Sequence, residues 1–255
     1  MVELKSPSEL RRMREPGGVV GTALAAARKH AAVGVSLLEL DAVARDVLRE
    51  AGATSAFLGY QPGFATTPFP GVICASVNDA ALHGIPDGYR LRDGDLLSID
   101  FGATLAGWAA DAAISFVVGE AAPEDVALVD AVERALEQGI AAAQVGGRLG
   151  DISAAIGAVA RAAGLGLSTD FGGHGVGRQM HEDPAVPNDG RAGRGLRLRP
   201  GLVLAIEPWF MAGGQDAFRV DADGWTLRTT DGSRAAHVEH TVAITDDGPQ
   251  VLTLP

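Results

Sequence analysis

Arg92-Asp93-Gly94-Asp95-Leu96-Leu97-Ser98-Ile99-Asp100 decides the fold, because Arg199-Pro200-Gly201-Leu202-Val203-Leu204-Ala205-Ile206-Glu207 repeats it later in the chain. Arg, Gly, Leu, Ile and a terminal carboxylate coincide in the two stretches. Each reads as an apolar strand entered through a turn, at Asp93-Gly94 or at Pro200-Gly201, and is expected to end on its acid. A strand of this kind is buried, and a carboxylate carried into it is costly unless paired or bound to a cation.

The repeat extends outward in both directions. Ser36 and Glu39 form a capping box ahead of Leu37, Leu40, Val43, Val47 and Leu48 at helical spacing, and Gly52 stands at the stop. Val33, Gly34, Leu37, Ala42, Val47, Arg49, Ala51 and Gly52 recur as Val145, Gly146, Leu149, Ala154, Val159, Arg161, Ala163 and Gly164. On the other side, Asp111-Ala112-Ala113-Ile114 aligns with Glu239-His240-Thr241-Val242. Gly102 and Gly107 predict antiparallel strands that reverse near Leu105 to Gly107 and bring Asp100 close to Asp111. The expected fold is α+β, one catalytic domain over residues 1–255 with pseudo-twofold halves at roughly 1–120 and 121–255. The site is expected where the halves meet.

Composition narrows the function. The 255 residues hold 21 Lys plus Arg against 32 Asp plus Glu, a net charge of −11 that disfavours a phosphate backbone as partner. Cys74 is the one cysteine, so no intramolecular disulfide forms and a reducing cytoplasm is the expected compartment. Met1 to Pro16 is charged and polar, without the apolar core of a signal peptide. The most apolar stretch, Gly201 to Met211, contains Glu207 and Pro208 and is too short to span a bilayer.

Four acids at symmetric places, Asp100, Asp111, Glu207 and Glu239, call for a cation, although Arg or Lys from elsewhere in the fold could also answer them. His174 lies in the glycine-dense Gly172-Gly173-His174-Gly175-Val176-Gly177, and His181 follows in His181-Glu182-Asp183-Pro184. His83-Gly84-Ile85 echoes the His-Gly-aliphatic triplet of His174 in the other half; a turn histidine bonded to backbone is the alternative reading. The set is rich in oxygen and free of thiolate, which favours manganese or ferrous iron, with cobalt or zinc also accommodated, over a structural zinc. Four carboxylates exceed what one ion with an open position needs, but can bridge two ions about 3.5 to 4 Å apart.

Leu-His83-Gly-Ile-Pro, Ser-Ile-Asp100-Phe-Gly, Gly-His174-Gly-Val-Gly, Met-His181-Glu-Asp-Pro, Ala-Ile-Glu207-Pro and Val-Glu239-His-Thr resemble the type I methionine aminopeptidases over nearly the whole chain. The resemblance implies the "pita-bread" fold shared with prolidase and creatinase, a curved central antiparallel sheet covered by helices. It implies two divalent ions held by Asp100, Asp111, His174, Glu207 and Glu239. It also implies attack of a metal-bridging hydroxide on the scissile carbonyl of an N-terminal methionine, with Glu207 as proton shuttle. His83 and His181 resemble the family's histidines that hydrogen-bond the substrate amide and the developing oxyanion. Trp225 and Tyr60 match places near the methionine side-chain pocket, where ordinary core packing is an equal reading.

Phe57 and Met180 depart from the usual bacterial residues of that pocket. The loop from Gln61 to Gly71 is longer than expected, and Cys74 is either a pocket thiol or a small buried residue. The implied partners are N-termini of nascent polypeptides near the ribosome, with no visible ribosome-binding handle, no nucleic acid and no membrane. A monomer is expected. The competing readings are a proline-specific aminopeptidase or dipeptidase of the same fold, and a peptide-binding homologue without catalysis.

Overall fold

The structure, a computed structural model, describes residues 2–63 and 65–255. In chain order the first half holds α1 (Pro7–His30), α2 (Leu37–Ala51), β1 (Thr54–Ser55), β2 (Ile73–Val77), β3 (Ala80–Leu82), β4 (Asp95–Leu105) and β5 (Trp108–Val118). The second half begins with α3 (Pro123–Ala142), α4 (Leu149–Ala163), β6 (Gly173–Gly175), β7 (Glu182–Val186), β8 (Val203–Ile206) and β9 (Trp209–Met211). It ends with β10 (Phe218–Val220), β11 (Leu227–Thr229), β12 (Ala235–His237), β13 (Glu239–Thr245) and β14 (Gly248–Val251).

The helices stop and start where their chemistry requires. The Ser36 hydroxyl accepts from the Glu39 N–H while Glu39 accepts from the Ser36 N–H at 2.8 Å, and Gly52 closes α2 in the left-handed conformation. In α4, Asp151 accepts from the Arg148 N–H at 2.7 Å, and Gly164 closes the helix at φ 66° as Gly52 does at 63°. Each half therefore contributes a helix pair, α1 with α2 and α3 with α4, laid against the sheet around separate apolar clusters.

The strands assemble into a nine-stranded antiparallel sheet along β1-β4-β5-β13-β8-β6-β7, with β2 joined to β4 and β14 to β13. The pseudo-twofold axis passes through the β5–β13 pairing, where Glu239 stands opposite Ala113. Gly94 and Gly201 enter their strands at φ 78° and 88°, the left-handed backbone that both expected turns need. The β4–β5 hairpin reverses at Ala106 and Gly107, pairing Leu105 with Trp108.

The expectation that each repeated strand ends on its acid is corrected on both sides. Asp100 lies in the middle of β4, because full pairing with β5 carries the strand to Leu105. Glu207 lies just beyond β8, where Pro208 has no N–H to continue the ladder. Among the described residues no helix is long and apolar enough to cross a membrane.

Candidate metal centre and substrate cavity

Register alone brings the acids onto one face. Asp111 is opposite Gly102, two residues from Asp100, so the two aspartates point to the same side of the hairpin. Ala113 pairs with Asp100 on one flank and with Glu239 on the other, so a methyl group is all that separates those two carboxylates along the row. One row further, His174 in β6, Ala205 in β8 and Thr241 in β13 are mutual neighbours, which sets the imidazole beside the acids. Thr241 fastens the two halves: its hydroxyl donates to the Asp111 carbonyl at 2.8 Å and accepts from the Asp111 N–H at 3.0 Å.

The cluster is buried and lacks cationic side chains. Asp111 is 4% exposed and Glu239 1%. Among the described residues neither Lys nor Arg pairs with Asp100, Asp111, Glu207 or Glu239, so the salt-bridge alternative is not realised. Asp111 Oδ1, Asp100 Oδ1 and Glu239 Oε1 are buried without a hydrogen-bond partner. Donor atoms of Asp111, His174 and Glu239 lie within 4.8 Å of one another. Converging, unpartnered carboxylate oxygens beside an imidazole suit a divalent cation.

Electrostatics tell the same story. Burial, together with the neighbouring charge of Glu207, pushes the Asp100 carboxyl up to about 6, against the pull of His237. Burial raises Asp111 and Glu239 well above the carboxylate range, helped by the other acids. Burial also opposes the Glu207 charge, but His237, His174 and His181 outweigh it and hold that carboxyl below its ordinary value. The His174 Nε2 is 3.6 Å from Glu207 Oε1 and the His237 Nε2 is 3.6 Å from Glu207 Oε2.

His237 is a site residue that sequence reasoning missed. It sits two positions before Glu239, the spacing that puts side chains on one face of an extended chain, and that spacing was the available signal. The pseudo-symmetric position before Asp111 is Ala109, which hides the histidine from a reading based on the repeat.

Above the acids opens a cavity of about 410 Å³ whose lining includes Asp100, Asp111, His174, Glu207 and Glu239 together with His83, His181, Phe57, Tyr60, Cys74 and Trp225. His83 follows β3 at φ 57°, its ring edge-on to Phe171 and Trp225 at 5.4 and 6.3 Å. Burial lowers its pKa to about 4. His181 stands at the rim, stacked on Tyr60 at 5.3 Å and 4.2 Å from the His174 ring. Its enclosing walls, and then His174, bring it also to about 4.

The apolar wall is a chain of edge contacts, Phe57 to Phe69 at 6.4 Å and Phe69 to Trp225 at 5.0 Å. Trp225 donates its indole N–H to the Thr67 carbonyl at 3.0 Å, and Phe69 donates to the Tyr60 carbonyl, so the long loop is part of the wall. Phe69 was not foreseen as a lining residue. Cys74 both lines the cavity and is buried, and burial raises its thiol pKa. Met180 is not brought to the cavity surface; it is buried against Gly102, whose missing side chain leaves room for it and for Phe57.

Comparison with known proteins agrees with this geometry. The sequence profile of metallopeptidase family M24 matches residues 11–246. Methionine aminopeptidase 1 of Mycobacterium tuberculosis is 51% identical over 261 residues, covering 100% of this chain and 96% of that protein. The methionine aminopeptidase of Aquifex aeolicus is 41% identical, covering 99% and 98%. The crystal structure of methionine aminopeptidase from Thermotoga maritima superposes with a TM-score of 0.95 at 37% identity, covering all of both chains. A prolidase from Pyrococcus horikoshii superposes at 0.75 with 22% identity over 98% of this chain and 63% of its own, a likeness of fold alone. A full-length match of sequence and fold, around a buried carboxylate–imidazole cluster, means that the chain belongs to metallopeptidase family M24, on its methionine aminopeptidase branch.

Proposed function

We propose that this protein hydrolyses the bond after the N-terminal methionine of newly made polypeptides, using two divalent ions. The observation that carries this reading is the cavity of about 410 Å³, walled by Phe57, Phe69 and Trp225 and floored by carboxylates and imidazole. An unbranched apolar side chain is received by the wall, and the amino end and scissile amide come to rest on the floor.

Asp100, Asp111, His174, Glu207 and Glu239 would hold the ions, which are cobalt, manganese, ferrous iron or zinc. When bound, such ions supply Lewis acidity and make a water acidic enough to ionise near neutral pH. Glu207, kept ionised by its imidazole neighbours, accepts the proton from the attacking water and passes it to the leaving amine. His83 and His181 are neutral at physiological pH, so each offers one N–H to the substrate: His83 to the amide, His181 to the oxyanion as charge develops. Tyr60 holds the His181 ring by stacking, and Cys74 completes the pocket floor behind Phe57. The working state is a single chain in the cytoplasm meeting nascent chains as they emerge.

The test is release of free methionine from a Met-Gly-Met peptide by metal-stripped protein, with manganese, ferrous iron or cobalt restored, beside Glu207→Ala. Metal-dependent release that the variant lacks supports the reading. Absence of release with every metal overturns it.

A further inference from the structure

We infer that His237 is a sixth metal ligand, serving an ion on the Glu207–Glu239 side of the centre while His174 serves the other. The inference rests on the reading of this cluster as a two-ion site and assigns it a second imidazole.

Three observations carry it. The ring is 2% exposed, and its Nε2 is buried without a hydrogen-bond partner, aimed at the acids. Its direction is fixed by the backbone: the His237 N–H donates to the Ser115 hydroxyl at 2.9 Å, and that hydroxyl donates to the His237 carbonyl at 2.7 Å. Finally, the donor atoms of Glu207, His237 and Glu239 lie within 4.8 Å of one another, as do those of Asp111, His174 and Glu239. Glu239 belongs to both triads, and each triad has one imidazole.

Glu207 is thus flanked by two ring nitrogens, one per carboxylate oxygen, each at 3.6 Å. That separation is too long for a hydrogen bond. It suits two ligands of a shared ion, since donor atoms each ~2.1 Å from one ion at a tetrahedral angle stand about 3.4 Å apart. A neutral imidazole also adds no charge to a site already holding four acids, and a second nitrogen shifts preference from manganese toward cobalt, ferrous iron or zinc.

The experiment compares metal-stripped wild type with His237→Gln and His237→Phe, each first checked for folding by circular dichroism without metal. Gln keeps polarity at the position should the Phe variant fail to fold. Cobalt(II) is titrated calorimetrically, and coordinated imidazole nitrogens are counted by pulsed electron paramagnetic resonance with copper(II) as the probe. The expected result is two cobalt ions in wild type, at least a roughly tenfold weaker affinity for one of them in the variants, and an imidazole count falling from two to one. Wild-type affinities and an unchanged nitrogen count in the variants, even with lower activity, overturn the proposal and leave His237 as a partner of Glu207 alone. Wild type that takes up no cobalt or copper overturns the two-ion reading itself, and this inference with it.

Discussion

Lys5 reaches Glu182 from the far end of the chain: the ammonium lies 2.6 Å from the carboxylate, and the lysine side chain is 2% exposed. The other carboxylate oxygen accepts the N–H groups of Arg178 at 2.7 Å and Gln179 at 3.1 Å. Glu182 therefore ties the turn that presents His181 to the N-terminal segment, which is itself fastened by the Lys5 N–H donating to the Gly201 carbonyl at 2.7 Å.

Replacing Lys5 by Met leaves Glu182 without its cation. Removal of one partner of a buried pair costs about 3 to 5 kcal/mol, and the lower end applies because Glu182 is only part-buried. If His181 donates to the oxyanion, its loosening lowers kcat, by roughly tenfold or more, with little change in KM. Urea denaturation and steady-state kinetics on a Met-first peptide read both quantities. Lost stability with unchanged kcat would reduce the pair to a structural brace.

Gly102 faces the cavity wall from behind. A Cβ there would come within 2.6 Å of Met180 Cε, 2.8 Å of Phe57 Cε1 and 3.1 Å of Ala56 Cβ. Gly102→Ala is expected to cost about 1 to 3 kcal/mol through overpacking. It also displaces Phe57 into the pocket, so kcat/KM for Met-first peptides falls while metal affinity holds. Thermal denaturation, kinetics and calorimetry separate these effects; wild-type kcat/KM would show that the wall absorbs the methyl group elsewhere.

What could be read in advance was whatever is local or repeated. Ser36 with Glu39, Gly52 and the turns at Gly94 and Gly201 announce their elements because the caps and left-handed residues act within a few positions. The duplicated acids announced the site because a buried carboxylate has few inexpensive explanations. The length of β4 was not legible, since pairing with β5 sets it. Nor was the position of Met180, which depends on the space at Gly102, or the Lys5–Glu182 pair, whose members lie 177 residues apart. His237 was overlooked because the repeat offered alanine as its counterpart.

His83 supplies a pH test independent of turnover. Burial lowers its pKa to about 4 from an ordinary value of 6.5, so folding favours the neutral ring. The sign follows: its contribution to stability is complete above about 6.5 and is lost as pH falls through about 4. In metal-free protein, nitrogen-resolved NMR should show His83 neutral at pH 5.5, where a solvent-exposed histidine is mostly charged. A midpoint near 6.5 would mean that water reaches the ring between Phe171 and Trp225.

Metal removal should expose the opposite sign at the acids. Burial raises Asp100 to about 6 and takes Asp111 and Glu239 higher still, so the metal-free fold binds more protons than the unfolded chain. Their contribution to metal-free stability is present below the ordinary carboxylate range and is lost as pH rises through about 6, continuing above it. Binding to the folded state alone adds RT ln(1 + [L]/Kd), so the Tm difference between manganese-loaded and stripped protein should widen between pH 5 and 7.5. Asp111→Asn removes one buried like charge. It is expected to raise the Tm of the stripped protein at pH 7.5 while shrinking the gain from manganese, because the same carboxylate that strains the empty cluster is needed to hold the ion. A variant that lowers the stripped Tm instead would show that Asp111 is already compensated by a partner within the fold.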